Sequence, residues 1–176
     1  MQLSHRVILS GAVIGAAGFT AAPGLAQTMD VSIQIPRLSV AEYHRPYVAA
    51  WLEKAGEAPR TVAVWYDFDM ANDEGKKWLS DVRRWWRASG RTLSLPADGV
   101  SGATRAPGVH KMSFTNGRKP LGKMSPGDYV LVVEAAREVG GREMVRVPFS
   151  WPPKPGQVAK ASGTTELGTV SITFKR

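Results

Sequence analysis

The amino-acid sequence predicts a mainly β protein: an Ig-like or fibronectin-like antiparallel β-sandwich of about seven strands with one short inserted helix. Three observations carry this expectation. Apolar residues alternate with period two over several short runs. Turn-forming pairs such as Pro126-Gly127 and Gly140-Gly141 stand between runs. A helical period occurs in one stretch, Lys76–Ala88.

Taken in order, the first strand is Met29–Ile35, with Val31, Ile33 and Ile35 on one face. Tyr47–Glu53 follows, placing Tyr47, Ala49 and Trp51 together. In Thr61–Tyr66, Val62, Val64 and Tyr66 oppose Ala63 and Trp65. Between this strand and the next, Trp78, Leu79, Val82, Trp85 and Trp86 form an apolar stripe with helical spacing. Lys77, Ser80, Arg84 and Arg87 fall on the other side. Asn72, Asp73 or Ser80 would cap this helix at its start, and Gly90 suits its end. Val109–Phe114 is a weaker strand, and Tyr129–Ala135 is the strongest. In the latter Tyr129, Leu131, Val133 and Ala135 alternate against Val130, Val132 and Glu134; if both sides are buried, the strand is central and covered by the helix or a loop. Met144–Trp151 and Thr169–Phe174 complete the set.

Composition narrows the chemistry. The 176 residues, 43% apolar, suit one domain after a targeting segment. The absence of cysteine excludes disulfides, iron–sulfur clusters and thioether-linked haem. Three histidines, His5, His44 and His110, show no metal-ligand spacing. Met1–Ala26 has the form of a secretory signal: a weakly basic start at His5 and Arg6, an apolar Ala/Gly-rich run, then a break at Pro23-Gly24. Gly24 and Ala26 are the small residues that a signal peptidase requires, so cleavage after Ala26 and a periplasmic domain over 27–176 are expected. The formal charge of +8 includes Arg6, the one charged residue of the leader, and becomes +7 once Arg6 is removed. A basic surface favours anionic partners. Export argues against nucleic acid as that partner.

The candidate site is Asp98-Gly99-Val100-Ser101-Gly102-Ala103-Thr104. Asp, Gly and Ser are ordinary turn residues, so a surface turn is the plainest account. The stretch also resembles the flavinylation motif of bacterial extracytoplasmic proteins, in which Asp, two free positions, Ser or Thr, Gly, Ala and Ser or Thr follow one another. Asp98, Ser101, Gly102, Ala103 and Thr104 meet all the specified positions. The resemblance implies FMN bound covalently to the Thr104 hydroxyl through a phosphoester. Gly102 and Ala103 leave room beside that hydroxyl, and Gly102 permits a positive φ that turns backbone N–H groups toward phosphate. Arg105 is a candidate phosphate partner. Trp85 and Trp86, just upstream, are candidates to stack on the flavin ring or else to pack the core.

From Tyr47 to Phe149 the chain also resembles the DUF2271 family of predicted periplasmic proteins. The resemblance rests on Pro46–Glu53, Lys77–Trp86, Ser101–Gly108 and Gly127–Glu138, with Ser80 in place of an expected proline. It implies an ApbE-type flavin transferase and a PepSY-like membrane redox protein as partners. The expected function is therefore a periplasmic redox carrier with covalent FMN, not an independent enzyme. The alternative is a cofactor-free Ig-like binding module. A hydrolase is disfavoured, because no nucleophile elbow, Ser/His/Asp arrangement or paired carboxylates occur.

Overall fold

A computed structural model describes residues 27–175; the leader, and with it the cleavage site, lies outside them. Nine strands form two sheets. In one, β1 (Thr28–Ile35), β5 (Gly108–Thr115), β8 (Val158–Ser162) and β9 (Thr169–Lys175) lie in the order β5-β1-β9-β8. In the other, β2 (Tyr47–Glu53), β3 (Arg60–Trp65), β4 (Ser101–Gly102), β6 (Gly127–Ala136) and β7 (Arg142–Trp151) lie in the order β4-β3-β2-β6-β7. Every pairing is antiparallel except β3 with β4. The β-sandwich expected from the alternation is therefore present, and each expected strand has its counterpart. Two strands had no readable signal. A two-residue strand, β4, has no periodicity to show. At the sheet edge β8 offers only Ala159 and Ala161, half-buried, toward the core.

Alternation distributes the side chains between two cores. Val48, Ala50 and Leu52 of β2, with Leu131, Val133 and Ala135 of β6, point between the sheets to meet Met29, Val31 and Ile33 of β1. Tyr47, Ala49 and Trp51, with Val132 and Ala136, point the other way. Leu79, Val82 and Trp85 roof that outer face. Thus both sides of β6 are buried, and the strand lies inside the sheet between β2 and β7 with the roof over its outer face. Each fully buried large side chain contributes about 1.5–3 kcal/mol.

The roof departs from the single regular helix expected. It consists of a 3-10 segment, Ala71–Asp81, and a short α-helix, α1 (Arg83–Ala88), joined at Val82 with φ −78 and ψ 69. Asn72, Asp73 and Ser80 do not cap it: Asn72 and Asp73 sit inside the 3-10 segment at φ 55 and 57, and neither piece has a side-chain cap of its own. The cap comes from across the sheet. Glu134 on β6, 1% exposed, accepts the backbone N–H groups of Arg84 and Trp85, each at 2.9 Å. Burial pushes the Glu134 carboxyl upward in pKa, while those N–H groups and Arg142 pull it back. Gly90 lies just past α1, where an added Cβ would stand 2.9 Å from the Trp86 ring and 3.0 Å from that of Trp85. It is glycine because the two indoles occupy the space.

A second carboxylate closes the β8–β9 end. Glu143 on β7 accepts the N–H groups of Thr164 (2.6 Å), Thr165 (3.0 Å) and Leu167 (2.9 Å), and the Thr164 hydroxyl (3.1 Å). Burial raises its pKa, but these donors outweigh burial and hold it at about 2 against an ordinary 4.5. A depressed folded-state value stabilises the protein above the unfolded value. That contribution disappears as pH falls from 4.5 toward about 2. Glu143→Gln is expected to cost about 2–3 kcal/mol at pH 6 and much less near pH 3, which urea midpoints at the two pH values will show.

Candidate functional site

The Asp98–Thr104 stretch is a turn, a two-residue strand and an exit from the sheet. Gly99, at φ 69, takes the left-handed conformation of the turn. The N–H groups of Val100 and Ser101 donate to the Ala97 carbonyl at 3.1 and 2.9 Å. The Ser101 hydroxyl accepts the Ala97 N–H at 2.9 Å, closing the turn on itself. Ser101 is thus the clasp of the loop. At its tip Asp98 is exposed, and among the described residues its carboxylate accepts no hydrogen bond.

Gly102 differs from expectation. The positive φ falls on Gly99, whereas Gly102 lies in β4, in register with Trp65 of β3. It is part of the sheet ladder and not an anion cradle: its carbonyl accepts the Tyr66 N–H at 3.0 Å. The parallel pairing has a direct consequence. Both chains leave the sheet at the same end, so Thr104 emerges beside Asp67. The Thr104 hydroxyl donates to Asp67 Oδ1 at 2.9 Å. Ala103 before it is exposed and small.

Asp67 is itself held in place. The Tyr47 hydroxyl lies 3.4 Å from Asp67 Oδ2 and donates to the Gly75 carbonyl at 3.1 Å. Burial, with the Asp67 charge adding to it, pushes the Tyr47 phenol up to about 12, so it remains a donor at any physiological pH. Gly75 crosses so close to Asp67 that a Cβ there would fall 2.0 Å from the Asp67 carbonyl oxygen.

Thr104 and Asp67 stand on the wall of a cavity of about 740 Å³. Tyr43 and Tyr47, Met70 and Trp78 from the roof, Arg83 from α1 and the β6–β7 turn complete it. Trp78 is 54% exposed and Met70 44%, so both present apolar surface to the opening. Arg45 and Arg83 also line it, and among the described residues neither has a carboxylate within ion-pair distance. Arg137 is engaged: its Nε and Nη2 donate to the two oxygens of Glu166, each at 3.0 Å. His44 lies between Glu42 at 2.8 Å and Glu138 at 3.5 Å.

Of the sequence-predicted residues only Thr104 lines this cavity; Asp98, Ser101, Gly102 and Ala103 belong to the loop that leads to it, and Trp85, Trp86 and Arg105 lie elsewhere. Trp85 is fully buried and donates from Nε1 to the Thr61 hydroxyl at 3.0 Å, so it packs the core and cannot stack on a ligand in the cavity. Trp86, half-buried, leans on Trp85 with ring centroids 6.1 Å apart and does not line the cavity. The indole that does is Trp78. Its i, i+7 relation to Trp85 implied a shared buried face, which holds only for an unbroken helix. The guanidinium of Arg105 lies 5.4 Å over the Trp65 ring and is also absent from the cavity wall. Asp67 and Tyr47 had no motif to mark them. His110 does not meet Thr104, because its ring nitrogen is bonded to the Ala106 carbonyl at 2.8 Å. Among the described residues no group of three or more His, Cys, Asp or Glu is placed to hold a metal ion.

Compared with known proteins, residues 28–169 match the family model described as predicted periplasmic protein, DUF2271. No curated protein and no solved structure matches.

Proposed function

The chain belongs to the DUF2271 family of predicted periplasmic proteins, and on that premise we propose that it is an electron carrier whose FMN is bound covalently to Thr104. The observation that carries this reading is the placement of a complete Asp-x-x-Ser-Gly-Ala-Thr stretch. Its terminal hydroxyl stands at the wall of a cavity with apolar surface and unpaired cations. About 740 Å³ falls within the roughly 300–1,000 Å³ typical of cofactor sites. Bound FMN would supply reversible one- and two-electron transfer.

The chain's own residues have distinct tasks in this reading. Thr104 tethers, through the one atom there able to form a bond to phosphorus. Ser101 and Gly99 hold the loop so that this hydroxyl stays presented. Asp98, exposed at the turn, is free to meet an ApbE-type transferase. Arg45 and Arg83 offset the single negative charge of a phosphodiester. Trp78 and Met70 provide the apolar wall for the ring. A PepSY-like membrane redox protein is the proposed electron partner.

Co-expression with the transferase, followed by intact-protein mass spectrometry, tests the reading. A covalent FMN adduct that survives denaturation is expected. Wild-type protein that stays unmodified would leave the cofactor-free binding module as the better account. Within the modified protein, Trp78→Ala is expected to raise flavin fluorescence by removing a stacked quencher, with the extent of attachment unchanged. Equal fluorescence in the variant would exclude Trp78 as the ring's neighbour.

A further inference from the structure

Resting on the flavinylation reading, we infer that Asp67 is a catalytic residue of the attachment step: it orients the Thr104 hydroxyl and takes its proton. A threonine hydroxyl is a poor nucleophile until a base removes its proton. Candidate bases lie within about 2.6–3.2 Å of that proton, and Asp67 Oδ1 is 2.9 Å from Thr104 Oγ1. The direction of this bond matters. With the proton directed at Asp67, the oxygen lone pairs are left free for an incoming phosphorus.

The surrounding structure fixes this arrangement from both sides. The β3–β4 pairing sets Thr104, through Trp65 in register with Gly102. Gly75 packs on the Asp67 backbone, and Tyr47 stands by the other carboxylate oxygen at 3.4 Å. His110 Nε2 is hydrogen-bonded to the Ala106 carbonyl at 2.8 Å, and the guanidinium of Arg105, which has no acceptor, is no base.

The step balances with an activated flavin phosphate of the flavin-dinucleotide class, delivered by the transferase. Thr104 Oγ forms a bond to the flavin-side phosphorus of the pyrophosphate. The bond from that phosphorus to the bridging oxygen breaks, and the nucleoside monophosphate departs with the electron pair. The hydroxyl proton passes to Asp67, which is neutral while the new phosphodiester forms beside it, and then returns the proton to water. No oxidation or reduction occurs.

Purified unmodified protein, a purified ApbE-type transferase and FAD provide the test, with adduct formation followed by intact mass. Asp67→Asn preserves shape but accepts no proton, and is expected to slow attachment at least tenfold. Asp67→Glu should recover part of the rate. Because the Asp67 side chain is exposed, both variants should melt within about 2 °C of wild type. Attachment to Asp67→Asn at the wild-type rate, or faster, would overturn the assignment while leaving the proposed function intact. Wild-type protein that acquires no flavin would overturn both.

Discussion

Thr104→Val is expected to abolish the proposed flavin adduct, and Thr104→Ser to retain it. Valine has nearly the shape of threonine, and the position is half-exposed at the edge of the cavity, so folding should be unaffected. What is lost is the oxygen that donates to Asp67 at 2.9 Å and that the proposed ester requires. Serine keeps that oxygen and loses only a methyl group. Intact-protein mass spectrometry after export alongside the transferase reads the outcome directly. Persistence of the adduct in Thr104→Val would reject this hydroxyl as the site. Ser101→Ala provides a useful contrast, since it removes the loop clasp to Ala97 and leaves Thr104 intact. Slower attachment with full eventual occupancy is expected there.

The largest expected effect on stability belongs to Glu166→Gln. Glu166 and Arg137 form a bidentate pair with side chains 4% and 6% exposed, and Glu166 Oε1 also accepts the Gly141 N–H at 3.0 Å. Replacing the carboxylate by an amide leaves the guanidinium buried without a counter-charge. Breaking one side of such a pair costs about 3–5 kcal/mol. In a domain of this size that corresponds to a fall in Tm of about 10 °C. The pair also anchors the β6–β7 turn at one side of the cavity, where Val139 stands at φ 50 and is 80% exposed. A β-branched residue is strained in that conformation, so the turn depends on its anchors. Thermal melting checks the prediction, and a shift under about 3 °C would contradict it. Replacing both partners by apolar residues should recover much of the loss, because no isolated charge then remains.

Much of the fold was legible because strand identity is a local property. In Tyr129–Ala135 the two side-chain sets follow from alternation, whereas the burial of both faces came only with the structure. The Asp98–Thr104 pattern could be read because its residues are contiguous. The roof was not. Trp78, Trp85 and Trp86 share a helical period, yet the break at Val82 parts them: Trp85 becomes core, and Trp78 is left 54% exposed at the cavity. That break accompanies a cap supplied by Glu134, fifty residues from Arg84.

The Asp98–Thr104 pattern, the cysteine-free composition and the sandwich class are properties of residues and their neighbours in sequence. They required only side-chain chemistry, spacing and period. Asp67 beside Thr104, Glu166 beneath Arg137 and Glu143 under the β8–β9 turn are 37, 29 and at least 21 residues from their partners. No local preference specifies such pairs. Sheet register decides the first of them: the parallel β3–β4 pairing takes Asp67 and Thr104 out of the sheet together.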